Sequence, residues 1–250
     1  MTLLYTYAFT APDPDARLSW ADLVGVGGAP VRPLPLGDVT AAVSDVPERV
    51  FDETALRRRL EDLSWLEATA RAHDAVVQAL AAHGTVLPLR LATLHRDAGS
   101  LRASLAEWPD LPARLGKLTG CQEWAVKIDV LSSPDAVPAA SAAEDGRSYL
   151  RRRHAQRLGG KAREAAVAEL ERRLPQELAG VVTSVRALTP QSGALARSRR
   201  GVNLVNHAYL VPQRHSEQFH ARVEALAAHL PDGVAVEVTG PWAPYNFSAP

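Results

Sequence analysis

The residues that could do chemistry are few, and their spacing decides most of what they could do. Zinc held on a helix needs two imidazoles four residues apart with a glutamate between them. His73 and His83 are ten apart and His215 and His220 five apart, so surface or capping roles are expected for them. No Gly-x-Ser-x-Gly elbow presents a serine nucleophile. The single cysteine, Cys121, follows Thr119-Gly120 where a strand is expected to begin; it can form no internal disulfide and no cysteine cluster for zinc, and a small half-buried thiol is expected. Gly25-Val26-Gly27-Gly28 invites a phosphate-loop reading, but it does not follow a strand and no Lys or Ser/Thr stands at the positions that would hold phosphate and magnesium. Gly159-Gly160-Lys161-Ala162 fails similarly, with Ala155 in place of the upstream glycine. No catalytic, cofactor-binding or metal-binding residue is assigned.

Charge points the same way. The 250 residues carry 28 Lys+Arg against 28 Asp+Glu, a formal net charge of zero, which argues against a general binder of nucleic acid or anionic membranes. The strongest basic run, Arg151-Arg152-Arg153-His154 with Arg157, Lys161 and Arg163, spreads around a helix and is followed by Glu164, Glu169 and Glu171, the pattern of a solvated face with ion pairs. An RNA-reading sheet would need paired aromatics on its central strands, and Val202 to Val211 offers only Tyr209. No apolar run approaches the ~20 residues that span a bilayer. Met1 to Phe9 lacks the charged start and cleavage site of a signal peptide, and a lone cysteine fits a reducing cytoplasm.

The elements that must position these residues follow from periodicity. Leu3 to Phe9 reads as a buried strand, and Val31–Leu36 with Val39–Ser44 as a hairpin about Gly37-Asp38, its first arm confined to an edge by two prolines. A short helical turn is expected near Ser19 to Leu23. Asp52 opens a long helix that Gly84 closes, with Leu56, Leu60, Leu63, Val77 and Leu80 at three- and four-residue steps. Thr85 to Leu91 is a strand kept at an edge or bulge by Pro88, and Ala98 to Leu118 is helix interrupted at Pro109. Trp124, Val126, Ile128 and Val130 then alternate with Glu123, Ala125, Lys127 and Asp129 as a strand. A Pro/Ala/Ser linker over 132–143 leads to a long helix, Arg147 to Glu177, bent at Gly159-Gly160 and buried along Leu150, Leu158, Ala162, Ala166, Leu170 and Leu174. Strands Val181–Leu188 and Val202–Val211 are joined by a polar loop, 191–200; a helix starts at Ser216, and a last strand, Val234 to Thr239, ends at Gly240.

The predicted fold class is α+β in two domains: residues 1–120, then 121–240 in the βαββαβ order of a ferredoxin-like sandwich, then an aromatic and proline-rich tail, 241–250, packing back on the first domain. Two prolines make the tail stiff and non-helical in this reading. Trp242 and Tyr245 are its expected anchors, and losing Trp242 is expected to cost ~2–4 kcal/mol.

Several separated blocks agree on one family. Val43-Ser44-Asp45-Val46-Pro47, Leu63-Ser64-Trp65-Leu66-Glu67, Ala70-Arg71-Ala72-His73-Asp74 and Val86-Leu87-Pro88-Leu89-Arg90 resemble the gas vesicle protein L/F family. So do Glu123-Trp124-Ala125-Val126-Lys127, Tyr149-Leu150 with Arg153, Asn206-His207-Ala208-Tyr209-Leu210-Val211, and Thr239-Gly240-Pro241-Trp242-Ala243-Pro244-Tyr245. The chain departs from the family pattern at Leu91-Ala92, where Phe-Gly is expected, at Asp74 for Glu, at Ala243 for proline, and at Asn206-His207 for Asn-Ala.

The resemblance implies an accessory protein of gas vesicle formation, not an enzyme, whose C-terminal half is a modified ferredoxin fold. Its implied partners are the small hydrophobic shell protein and other vesicle accessory proteins, with a cytoplasmic, vesicle-associated location and neither nucleic acid nor membrane as partner. A subunit that lines a gas space exposes apolar surface that aggregates in water, and a soluble binder can cover it during nucleation or growth. Trp65, His73, Arg90, Trp124, Trp242 and Tyr245 are the candidate partner-binding or domain-junction residues, each weighed against plain internal packing. If Arg90 is buried, it should pair with Asp45, Glu67 or Asp74. The competing expectation is a ferredoxin-like ligand-binding or regulatory module unrelated to vesicles, which would need an apolar pocket with convergent polar groups.

Overall fold

Leu3 to Phe9 forms, as its apolar density requires, the strand around which a first sheet is built. A computed structural model describes residues 1–12, 19–131, 146–190 and 201–248, leaving aside the side chains of 146–150, 152, 153, 155 and 156. The fold is mixed α and β with two antiparallel sheets. Strands β1 (Thr2–Thr10), β2 (Arg32–Pro35), β3 (Thr40–Pro47) and β4 (Val86–Pro88) lie in the order β2-β3-β1-β4, and β5 (Leu94–His95) also pairs with β1. Strand β2, with Pro33 and Pro35, and strand β4, with Pro88, take sheet-edge places, where a missing N–H breaks no ladder.

The register of β1 on β3 slips between Thr6 and Ala8, so Tyr7 is the extra residue of a β-bulge. The bulge places Tyr5, Tyr7 and Ala8 in one core, while Phe9 turns to Trp108, ring centroids 5.7 Å apart. Against the tyrosine face lies α3 (Leu63–His83), contributing His73, Val76, Val77 and Leu80. The long helix expected from Asp52 is instead two, with α2 (Glu53–Leu60) preceding α3 and a four-residue α1 (Glu48–Phe51) before it. The break is chemical. Asp62 accepts hydrogen bonds from the N–H groups of Ser64 and Trp65, capping a new helix, while Asp52 caps α2 through Ala55 N–H. Leu60 and Leu63, read as part of one apolar stripe, flank the break and are exposed. Beyond β5, α4 (Ala98–Ser104) and α5 (Leu111–Leu118) flank Pro109.

The second sheet has the order β7-β8-β6-β9, from β6 (Cys121–Leu131), β7 (Ser184–Ala187), β8 (Gly201–Pro212) and β9 (Val234–Trp242). Helix α6 (Gly146–Glu177) joins β6 to β7, and α7 (Ser216–Ala227) joins β8 to β9. Val126 and Ile128 of β6, Val205 and Val211 of β8, and Phe219 and Val223 of α7 share one core with Val167, Leu170 and Leu174 of α6. The alternation read in β9 holds: Val234, Val236 and Val238 pack on that core. Among the described side chains of α6, the apolar stripe is buried from Val167 onward, and Leu158 is exposed. The expected linker over 132–143 and the loop over 191–200 lie outside the described residues.

Two compact units emerge, Met1–Glu123 with Pro241–Pro250, and Trp124–Gly240. Two local expectations about the C-terminal end are overturned. Strand β9 continues past Gly240 to Trp242, with Pro241 tolerated at a sheet edge, and Tyr245–Ser248 forms a short helical turn, α8. Pro244 sits just before that turn, where its fixed φ and missing donor are harmless.

Candidate functional site

Two directional hydrogen-bond chains run through the first core. In one, the Ala92 N–H donates to Tyr5 Oη (3.0 Å), and Tyr5 Oη lies 3.0 Å from His73 Nδ1. A phenol oxygen already accepting from the backbone turns its own hydrogen toward the imidazole, so His73 carries its proton on Nε2. That Nε2 is buried and has no hydrogen-bond partner among the described residues. In the other chain, Val26 N–H donates to Tyr7 Oη (2.9 Å), Tyr7 to Ser44 Oγ (3.0 Å), and Ser44 to the Pro30 carbonyl (2.8 Å). The glycine segment weighed above as a phosphate loop is thus sewn to the core by a tyrosine. A Cβ at Gly25 would stand 2.0 Å from Tyr7 Oη, which is why glycine sits there.

The aromatic rings close around His73. Tyr5, Tyr7 and Tyr245 lie 5.7, 5.5 and 6.2 Å from it, centroid to centroid. Tyr245 Oη donates to Asp74 Oδ1 (3.2 Å), Asn246 donates its backbone N–H and its amide to the two oxygens of Glu123 (2.8 and 2.6 Å), and Arg114 Nη2 donates to the Ser248 carbonyl (3.0 Å). Burial lowers His73 to about 4. It raises Tyr5 and Tyr245, the latter also through the charge of Asp74. Near neutrality the cluster therefore holds neutral imidazole and neutral phenols.

The six candidate residues do not all meet. His73 and Tyr245 share this cluster, and Trp65 reaches it through Phe51 (5.9 Å), with the Arg59 guanidinium over its ring at 5.6 Å. Arg90 is exposed and pairs with none of the expected carboxylates; its carbonyl accepts from Thr93 across the turn that contains Ala92. Trp124 belongs to the second core, edge-on to His220 at 4.3 Å. Trp242, expected to anchor the tail, is 45% exposed, and Ala243, at 2%, is buried in its place. Tyr5, Tyr7, Ser44, Glu123 and Asn246 were not expected at the site; the one signal was tyrosine at alternate positions of a strand rich in Leu, Tyr and Phe. Among the described residues no group of His, Cys, Asp and Glu is placed to hold a metal ion, and no helix is long and apolar enough to cross a membrane.

The model of the gas vesicle synthesis proteins GvpL/GvpF matches residues 3–249. The chain belongs to the GvpL/GvpF family. It is 44% identical over 253 residues to gas vesicle protein L of Streptomyces sp. (strain CB03234), covering 98% of this chain and 92% of that protein. With gas vesicle protein L2 of Halobacterium salinarum (strain ATCC 700922 / JCM 11081 / NRC-1) the identity is 26% over 269 residues, or 98% of this chain and 90% of the relative. The crystal structure of GvpF from Anabaena sp. PCC7120 superposes with a TM-score of 0.67 at 18% identity, covering 100% of this chain and 97% of the other. GvpF from Microcystis aeruginosa gives 0.66 at 17%, with both chains fully covered. At these identities the likeness is one of fold. Three of the positions expected from the sequence to depart from the family pattern fall in or beside the tyrosine cluster: Asp74 receives Tyr245, Ala243 is buried, and Ala92 takes a left-handed φ of +61° that glycine would adopt without strain.

Proposed function

We propose that this protein binds the small hydrophobic shell protein of the gas vesicle while the shell nucleates or grows, acting by recognition rather than catalysis. The observation that carries the reading is the family match over residues 3–249. In the structure, it is supported by a core whose imidazole and phenols are held neutral and by apolar side chains left outside. Leu60 and Leu63, either side of the α2–α3 break, are 42% and 77% exposed. Exposed leucines beside a helix corner offer an apolar partner a surface to share. The second unit serves in this reading as a ferredoxin-like domain, supported by its βαββαβ order and β7-β8-β6-β9 sheet. Residues 241–250 act as a tail closing on the first unit, the protein works on the cytoplasmic side of the vesicle, and it stays with the vesicle after assembly.

Tagged full-length protein co-expressed with the shell subunit and the other vesicle proteins tests this. Co-purification of the shell subunit, reduced by Leu60→Asp/Leu63→Asp with an unchanged melting temperature, is the expected result. Absence of co-purification together with normal vesicles after deletion of the gene would sink the proposal.

A further inference from the structure

Residues 243–248 are held as a bound peptide is held. Ala243 and Pro244 are buried, the Tyr245 ring lies over His73 while its hydroxyl reaches Asp74, and Asn246 presents main chain and side chain together to the Glu123 carboxylate. Arg114 takes the Ser248 carbonyl, and Ser248 Oγ closes the turn on the Tyr245 carbonyl (2.8 Å). The holding groups come from α3, α5 and the start of β6, and they read side-chain identity: a phenol, a primary amide and a small residue. Glu123 is only 4% exposed, so its two hydrogen bonds from Asn246 are shielded from water. None of these contacts depends on the covalent link to the strand before them. That link is Gly240, at φ +138°, followed by Pro241, where the chain passes from the second unit back to the first.

We propose that this groove is a peptide-binding site that accepts the same segment from a second copy of the chain, so that two molecules can be joined by exchange of tails. Exchange replaces every contact with its identical counterpart, so only the hinge and the cost of association distinguish the two forms. A short tether gives the protein's own tail an effective concentration near the millimolar range. The closed monomer therefore dominates in dilute solution, and pairing becomes visible once closure in cis is disabled. This inference does not rest on binding of the shell protein.

The test uses two full-length variants, each checked for folding by circular dichroism. One has a broken groove, Glu123→Gln/Asp74→Ala, and keeps its tail. The other has a broken tail, Tyr245→Ala/Asn246→Ala, and keeps its groove. Mixed at tens of micromolar, they should form a one-to-one complex by light scattering that neither forms alone. Adding Glu123→Gln to the second variant should weaken it at least tenfold. Should the groove variant fail to fold, a labelled peptide of residues 241–250 replaces it; the peptide should bind the tail variant, and at least tenfold more weakly when its tyrosine is alanine. No complex and no peptide binding with folded partners overturns the proposal, and so does binding indifferent to Glu123→Gln or to the loss of tyrosine.

Discussion

Ala92 is a residue in a conformation made for another. Its φ of +61° costs an L-residue ~1–2 kcal/mol, and the position persists because its N–H holds Tyr5. Ala92→Gly should therefore raise stability by roughly 0.5–1 kcal/mol, the strain relieved less the extra freedom glycine adds to the unfolded chain; a melting curve checks it. His73 gives the protein a pH response with a definite sign. Its ordinary value of 6.5 falls to about 4 on folding because burial opposes the charge, so below 6.5 the unfolded chain binds the proton more readily. Stability should be complete above pH 6.5, fall between 6.5 and 4 by about 3 kcal/mol, and level off below that. Burial shifts half-buried His95 the same way, against the charge of Glu107. Urea titrations of His73→Gln should show a flatter slope in that window; an unchanged slope would remove His73 as the cause.

At the scale of elements, the legible features were those whose cause is local. Prolines at edge strands, Pro109 between two helices, and the alternating valines of β9 are all statements about neighbouring residues, and they stand. The bulge at Tyr7 was not legible, because β1 is buried on both faces and no alternation marks a slip. The α2–α3 break was concealed by leucines that keep helical spacing across Asp62, although the cap itself was there to be read. Asp62→Ala should lower stability by about 1 kcal/mol, since Ser64 and Trp65 lose their acceptor, measurable by chemical denaturation. The tail shows the same limit. Aromatic type suggested Trp242 as anchor, but only tertiary context reveals that Trp242 is 45% exposed while Tyr245 is tied to Asp74. Trp242→Ala should cost under about 1 kcal/mol and Tyr245→Ala about 2–4 kcal/mol; equal losses in paired melts would contradict the assignment.

For the molecule as a whole, balanced charge has a practical consequence. With a formal net charge of zero and an isoelectric point near 7.1, little repulsion separates molecules at neutral pH. Solubility should pass through a minimum near pH 7 and rise on either side, which turbidity of a concentrated solution would reveal. Family membership and the alternation of strands and helices could be read from end to end of the chain. The candidate site was harder, because His73 and Tyr245 are joined by partners as distant in sequence as Tyr5 and Asp74, and Arg90 lies outside on a turn. The first unit is built from both ends of the chain, Met1–Glu123 and Pro241–Pro250, whereas the second is continuous, Trp124–Gly240. On the ribosome this reverses the order of completion. The second unit has its whole sequence once Gly240 has been added, whereas the first, although begun earlier, waits for Ala243 and Tyr245 to fill its core.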